Sequence, residues 1–89
     1  MRMTLARRAV LTALVQHPER KTHSYELGKA LGMGSGTLSP LLKGLWSEGL
    51  LLSEWEPGSE VKGRPLRRYY WLAPHQVGAV RTLLGIDPV

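Results

Sequence analysis

The apolar residues of this chain change period at Gly49, and that change limits the folds open to it. Before Gly49 they recur at helical spacing in three separate runs; beyond it, two short segments read as strands. In the first run, Leu5, Ala6, Ala9, Val10, Ala13 and Leu14 repeat from Thr4 to Gln16, with Thr4 as N-cap and Pro18 as a stop. A second, short helix is predicted over 24–31, with Leu27, Ala30 and Leu31 on one face and Gly32 at its C-terminal exit. After a tight turn at Gly32-Met33-Gly34, a third helix opens near Ser35 or Thr37 and continues to about Glu48. Its stripe is Leu38, Leu41, Leu42, Leu45 and Trp46, and Gly49 ends it. Trp46 is expected in the core or in a dimer contact.

Leu50 to Glu56 and Leu66 to Leu72 read as strands, and the Gly/Pro-containing segment between them is too long for a two-residue hairpin turn. They form a ribbon with a protruding basic loop at about 57–65, in which Tyr70 and Leu72 pack inward. A last short helix is expected at about 75–84. The order predicts an α+β, mostly helical winged helix-turn-helix: three helices, a two-stranded β wing and a short C-terminal helix. With 89 residues there is room for one small domain over 1–89. The absence of cysteine excludes disulfides, thiolate metal sites and cysteine nucleophiles. A core this small gains from pairing with a second copy, so a homodimer is expected. No apolar run approaches the roughly 18 residues of a membrane span. Arg7-Arg8 and the apolar stretch after them lack a cleavage site, which leaves a cytoplasmic location as the default.

A net charge of +5 suggests a polyanionic partner. On a wheel of about 100° per residue, the face of the third helix opposite its leucines carries Gly36, Pro40, Lys43 and Ser47, flanked by Thr37, Gly44 and Ser39. A solvated helix face would carry Glu, Lys, Arg and Gln. Interior Pro costs roughly 3 kcal/mol beyond the first turn, and Pro40 is expected near enough to the N-terminus to cost less. A small, acid-poor face suits close approach to base edges, and the N-terminal amides at Ser35, Gly36 and Thr37 suit a phosphate. Thr37, Ser39 and Lys43 are the candidate base or phosphate contacts. The alternative for this face is packing against another subunit. In the wing, Lys62, Arg64, Arg67 and Arg68 fall within seven residues with no acid among them. Arg64 is expected to reach backbone or minor groove, helped by Lys62 and Arg67, while Tyr25 and Lys29 touch flanking phosphate. Glu54, Glu56 and Glu60 lower the local positive field, so contact should concentrate from Lys62 onward.

Other chemistries find little support. His17, His23 and His75 lack metal-ligand spacing and are expected at the surface or in packing. Gly32, Gly34 and Gly36 follow a helix, not the strand that a dinucleotide fingerprint requires. No catalytic motif or acid/base set is present, so neither an enzyme, a metal nor a cofactor is expected. If a small aromatic effector binds, Trp55 and Trp71 are its candidate contacts.

Ser24-Tyr25-Glu26-Leu27, Gly36-Thr37-Leu38-Ser39-Pro40-Leu41-Leu42-Lys43, Glu48-Gly49-Leu50-Leu51, Gly63-Arg64-Pro65 and Arg68-Tyr69-Tyr70-Trp71-Leu72, in this order, resemble PadR-like transcriptional regulators over roughly residues 10–74. The resemblance implies a winged-helix repressor, usually a homodimer on an inverted repeat, often released by a small phenolic or drug-like effector. Ser39 stands where the family has Tyr, Gly44 where it has a basic residue, and Ala73 where Thr is common. The family's C-terminal helix is longer, so the first helix together with residues 75–84 is the expected dimer element. The resulting expectation is a sequence-specific regulator that reads duplex DNA through its third helix and a basic wing. The rival readings are a protein-interaction module and a small-aromatic-ligand sensor with DNA binding secondary.

Overall fold

In a computed structural model, which describes residues 2–58 and 63–86, the Thr4 hydroxyl accepts the Arg7 N–H at 3.1 Å and opens helix α1, Leu5–Gln16. The cap is as the sequence predicts, and of the predicted stripe Val10 and Leu14 are buried, but the buried face is shifted round the helix. Val10, Leu11, Leu14 and Val15 are buried, whereas Leu5 is 89% exposed and Ala6, Ala9 and Ala13 are half-buried. Two adjacent rows of α1 have helical spacing. The core takes the one with more branched aliphatic carbon, because burial free energy scales with apolar area.

Helix α2, Ser24–Leu31, has an unforeseen N-cap: the His23 Nδ1 accepts the Glu26 N–H at 3.2 Å. At its other end Gly32 adopts the left-handed conformation (φ +69°) expected of a glycine C-cap. Gly28 is buried on this helix, and a Cβ there would lie 2.5 Å from the Met33 carbonyl oxygen. The inner face is therefore Leu27, Gly28 and part of Leu31, with Ala30 exposed. This close approach lets α2 turn tightly into helix α3, Ser35–Ser47.

Leu38, Leu42 and Leu45 of α3 are fully buried, and Leu41 is partly so. Trp46 does not join them. It is 41% exposed, because at about 100° per residue it falls roughly 40° beyond Leu42, at the edge of the buried stripe. Pro40 falls in the second turn of α3, further in than a cost-free N-terminal proline would lie. Its missing N–H leaves the Gly36 carbonyl without the bond that an ordinary residue would supply.

Strands β1, Leu51–Trp55, and β2, Arg68–Leu72, pair antiparallel, with Leu51 opposite Leu72, Ser53 opposite Tyr70 and Trp55 opposite Arg68. Both are slightly shorter than the sequence suggests. The Leu50 amide donates to Leu45 and its carbonyl accepts from Ala73, which ties the ribbon to the end of α3. Alternation turns Leu51, Ser53, Trp55, Arg68, Tyr70 and Leu72 to one face, and Tyr70 and Leu72 are buried there as predicted. Thr22 exchanges both backbone hydrogen bonds with Tyr70 (2.9 and 2.7 Å), anchoring the α1–α2 link along the free edge of β2. After a 3₁₀ turn at Pro74–Gln76, helix α4 runs Val77–Leu84. Its Val80 and Leu84 join α1 in a shared core, and the Arg8 guanidinium donates to the Leu84 carbonyl at 2.9 Å. These elements make the α+β, mostly helical winged helix-turn-helix that their order predicts. No helix of the described residues is long and apolar enough to cross a membrane.

Candidate nucleic-acid interface

Burying Leu38, Leu42 and Leu45 forces the opposite side of α3 outward. Gly36, Thr37, Pro40, Lys43 and Ser47 are exposed, with Ser39 and Gly44 half-exposed at the margins. At its Gly44 margin another side chain approaches, where the Arg7 guanidinium would lie 3.2 Å from an added Cβ. Gly34 caps α3 without a side-chain hydrogen bond, unlike Thr4 on α1 and His23 on α2. The Ser35 and Gly36 amides thus keep their donors at the positive end of the helix dipole, whereas the Thr37 amide, also expected to be free, donates to the Gly34 carbonyl at 3.1 Å.

Between α3 and the ribbon lies a groove of about 530 Å³, and it brings several predicted residues together: Ser35, Ser39 and Lys43 of α3, Tyr25 of α2, and Arg64 and Arg67 of the wing. Arg68, Trp55, His23 and Tyr70 are among its other walls, and no carboxylate residue lines it among the described residues. Lys29 sits beside this groove, its ammonium 5.5 Å from the Tyr25 ring centre. The Arg67 guanidinium lies 5.6 Å from the same ring, so Tyr25 holds two cations from two elements on one aromatic plate. Gly36 and Thr37 lie on the outer side of the α3 N-terminus. Lys62 lies outside the described residues.

The charges sort into two groups. Arg7 pairs with Glu48, Arg20 with Glu26, Lys21 with Glu54 and Arg64 with Glu56. Of the seven described cations with no carboxylate in ion-pair range, Arg2, Arg8 and Arg81 belong to the α1 and α4 segments, whereas Lys29, Lys43, Arg67 and Arg68 border the α2–α3–wing side. Arg64 departs from the sequence expectation of a freely reaching wing cation. Its two terminal nitrogens each donate to a different Glu56 oxygen at 2.9 Å, a bidentate pair. The Arg67 amide also donates to Glu56, at 3.3 Å. The Arg64 hydrogen bond chiefly, with that amide, holds the Glu56 carboxyl down at about 2, well below its ordinary 4.5.

His23 is not the simple surface or packing residue anticipated. Its Nδ1 accepts the Glu26 amide, so the neutral ring carries its proton on Nε2, which faces Arg67 at 3.4 Å. Burial first, and the Arg67 charge second, lower its pKa below 6.5. Nothing in its local sequence marks this role, because Ser, Thr, Asp and Asn are the usual caps.

Trp55 and Trp71 do not share a site. Register and alternation set them on opposite faces of the ribbon. Trp55 belongs to the groove, whereas Trp71 lies against Pro18, Pro74 and Val77 with the Lys21 ammonium 4.8 Å from its ring. Arg68, counted in the basic cluster of the sequence but given no contact there, has its guanidinium over Trp46 at 4.4 Å and Trp55 at 5.3 Å. Strand parity alone could have aligned Arg68 with Trp55; the approach of Trp46 is a tertiary contact.

A helix-turn-helix followed by a two-stranded wing, with the outer face of its third helix open, defines a winged-helix transcriptional regulator. No protein-family model and no curated protein matches the chain. Solved structures do. A PadR family transcriptional regulator from Eggerthella lenta DSM 2243 is 33% identical, with a TM-score of 0.67 over 90% of this chain and 73% of that one. The transcriptional regulator homologue from Pyrococcus horikoshii OT3 shares the fold at 20% identity and a TM-score of 0.69, covering 90% and 73% of the two chains. The PcaV transcriptional regulator of Streptomyces coelicolor, in complex with its natural ligand, is 28% identical with a TM-score of 0.70, over 93% of this chain and 53% of that one. The chain belongs to the PadR family of transcriptional regulators.

Proposed function

We propose that this protein represses transcription by binding duplex DNA as a homodimer, with the exposed face of α3 in the major groove and the wing against the adjacent backbone. The observation that carries the reading is the groove lined by Lys43, Arg67 and Arg68, with no carboxylate among its described lining residues, beside a helix face of glycine and small hydroxyl residues. Close approach needs that small face, and phosphate neutralisation needs cations not already neutralised by carboxylates. In this reading Thr37 and Ser39 meet base edges, Ser35 and Gly36 present backbone amides to a phosphate, and Lys43 takes the neighbouring phosphate. Tyr25 steers Lys29 and Arg67 onto flanking backbone. Arg64 shapes the wing through Glu56, with Lys62 further along the same loop.

Support for a second copy comes from α1 and α4. They pack on each other and leave Leu5 and Leu83 89% and 51% exposed. Trp55 and Trp71 are too separated to form one effector seat, and no effector is assigned to them. Because the reading rests on binding alone, it requires no catalytic group. The location that fits it is the cytoplasm, where DNA is reached.

The test is a gel-shift titration across salt on a duplex selected from random sequence. Lys43→Ala is expected to weaken binding and to reduce the slope of log K against log salt by about 0.9, the contribution of one phosphate. An unchanged slope removes Lys43 from the backbone. Wild-type binding that shows no sequence preference refutes the regulator reading.

A further inference from the structure

We propose that Arg68, clasped between Trp46 and Trp55, is a seat for one phosphodiester of the DNA strand crossing the groove between α3 and the wing. The inference rests on the DNA-binding reading above and adds to it a contact at the C-terminal half of α3.

The geometry is that of a guanidinium fixed in place while its charge remains available. Trp46, Trp55 and Tyr70 surround Arg68 at 4.4, 5.3 and 5.9 Å from ring centre to guanidinium carbon. Its Nε donates to the Ser53 hydroxyl at 2.6 Å, its one hydrogen bond among the described residues. That leaves the four N–H groups of the two terminal nitrogens, the side of the fork that matches two phosphate oxygens. A carboxylate partner would cancel the charge, as Glu56 does for Arg64. Aromatic rings orient the cation and leave its charge in place. Immobilised before binding, the fork loses little side-chain freedom when an anion arrives.

The surrounding residues favour a phosphate over other anions. Arg68 and Trp55 wall the same groove as Ser39 and Lys43. Trp46 follows Lys43 by three positions on α3, so their side chains project from neighbouring turns of one face. Lys43 and Arg68 therefore form a line of positive charge along α3, as a nucleic-acid backbone requires and an isolated carboxylate does not. The two indoles also need an explanation that the core does not supply: they are 41% and 58% exposed. Because the chain's own arginine fills the space between them, an external cation is refused and an anion is admitted.

The experiment compares wild type, Arg68→Gln, Arg68→Lys and Trp46→Leu as full chains, by fluorescence anisotropy on a selected duplex and on a random duplex across salt. Arg68→Gln keeps a planar amide over the rings and loses the charge. It should reduce the salt slope by about 0.9 on both duplexes, which is about 3.5-fold in affinity over a fourfold salt range. The ratio of selected to random affinity should stay constant, because a backbone contact carries no sequence information. Arg68→Lys should keep the slope and bind more weakly. Trp46→Leu should do the same, because the charge remains and its orientation is lost. Thermal melts confirm folding, and should Arg68→Gln fail to fold, the Arg68→Lys and Trp46→Leu pair decides. An unchanged slope in a folded Arg68→Gln, or full affinity in both Arg68→Lys and Trp46→Leu, overturns the seat while the wild-type titration upholds DNA binding. A loss confined to the selected duplex also overturns it, since Arg68 would then read a base. If wild type binds neither duplex, the DNA reading fails with it. Equal loss of an anionic peptide and of duplex in Arg68→Gln would mark a general anion site and reject the proposal.

Discussion

Replacing Glu56 with Gln should make the protein bind random DNA more tightly, the opposite of what losing a structural contact usually does. Glu56 directly follows β1. Its carboxylate holds Arg64 through two bonds of 2.9 Å, and its own amide donates to the Arg67 carbonyl at 2.8 Å. The pair closes the wing loop and neutralises one cation at the rim of the groove. In Glu56→Gln the side chain would offer a single acceptor oxygen, with its NH₂ group facing the guanidinium, so one of the two bonds becomes a clash of donors. Arg64 is then free to take a phosphate. The salt slope should steepen by about 0.9, and the selected-to-random affinity ratio should fall because the loop is less fixed.

Removing any acid near DNA raises affinity somewhat, so two controls are needed. Glu54→Gln removes a neighbouring acid bound to Lys21 at 2.6 Å on the other ribbon face and sets the baseline. In an Arg64→Ala background, Glu56→Gln should do no more than that baseline. The assay is anisotropy on both duplexes across salt. A gain that persists without Arg64, or a loss on both duplexes with an unchanged slope, refutes the reasoning. Acidification does not mimic the substitution. The folded carboxyl titrates at about 2 against an ordinary 4.5, so the stability the pair contributes is complete above 4.5 and is lost only as pH falls from there toward 2.

The α2 cap predicts a second pH dependence. His23 has a lowered pKa in the folded chain, so the unfolded state gains the proton first; stability is complete above 6.5 and declines as pH falls below it. His23→Asn keeps a capping oxygen without a titrating group and should flatten that decline in urea melts; an identical decline in the variant would remove His23 as its cause. At Gly28, a methyl 2.5 Å from the Met33 carbonyl oxygen forces α2 from α3. Gly28→Ala should therefore destabilise by about 1–3 kcal/mol in chemical denaturation, whereas a neutral or stabilising result would show that the turn can yield.

Much of this molecule is legible along the chain. Thr4 and Gly32 mark helix ends through local hydrogen bonding and backbone sterics, and the leucine spacing of α3 dictates which side is buried and hence which faces out. Where a pattern has two helical solutions, the sequence does not choose between them. The Leu5 row and the Leu11 row of α1 are both helical, and only packing against α2, α4 and β2 selects the second. Trp46 continues the stripe in residue type but in angle lies at its edge.

The functional face divides in the same way. Residue order and period by themselves determined that a small, acid-poor helix surface would stand beside a basic ribbon, because secondary structure and side-chain direction depend on near neighbours. Which cations remain available was decided only by the folded chain. Lys21 finds Glu54 and Arg7 finds Glu48 across elements distant in sequence, Arg64 is closed by Glu56, and Arg68 is left charged between two indoles. Coulombic and aromatic contacts act over a few ångströms in space, without regard to separation along the chain, so the pairing of these charges had to wait for the tertiary structure.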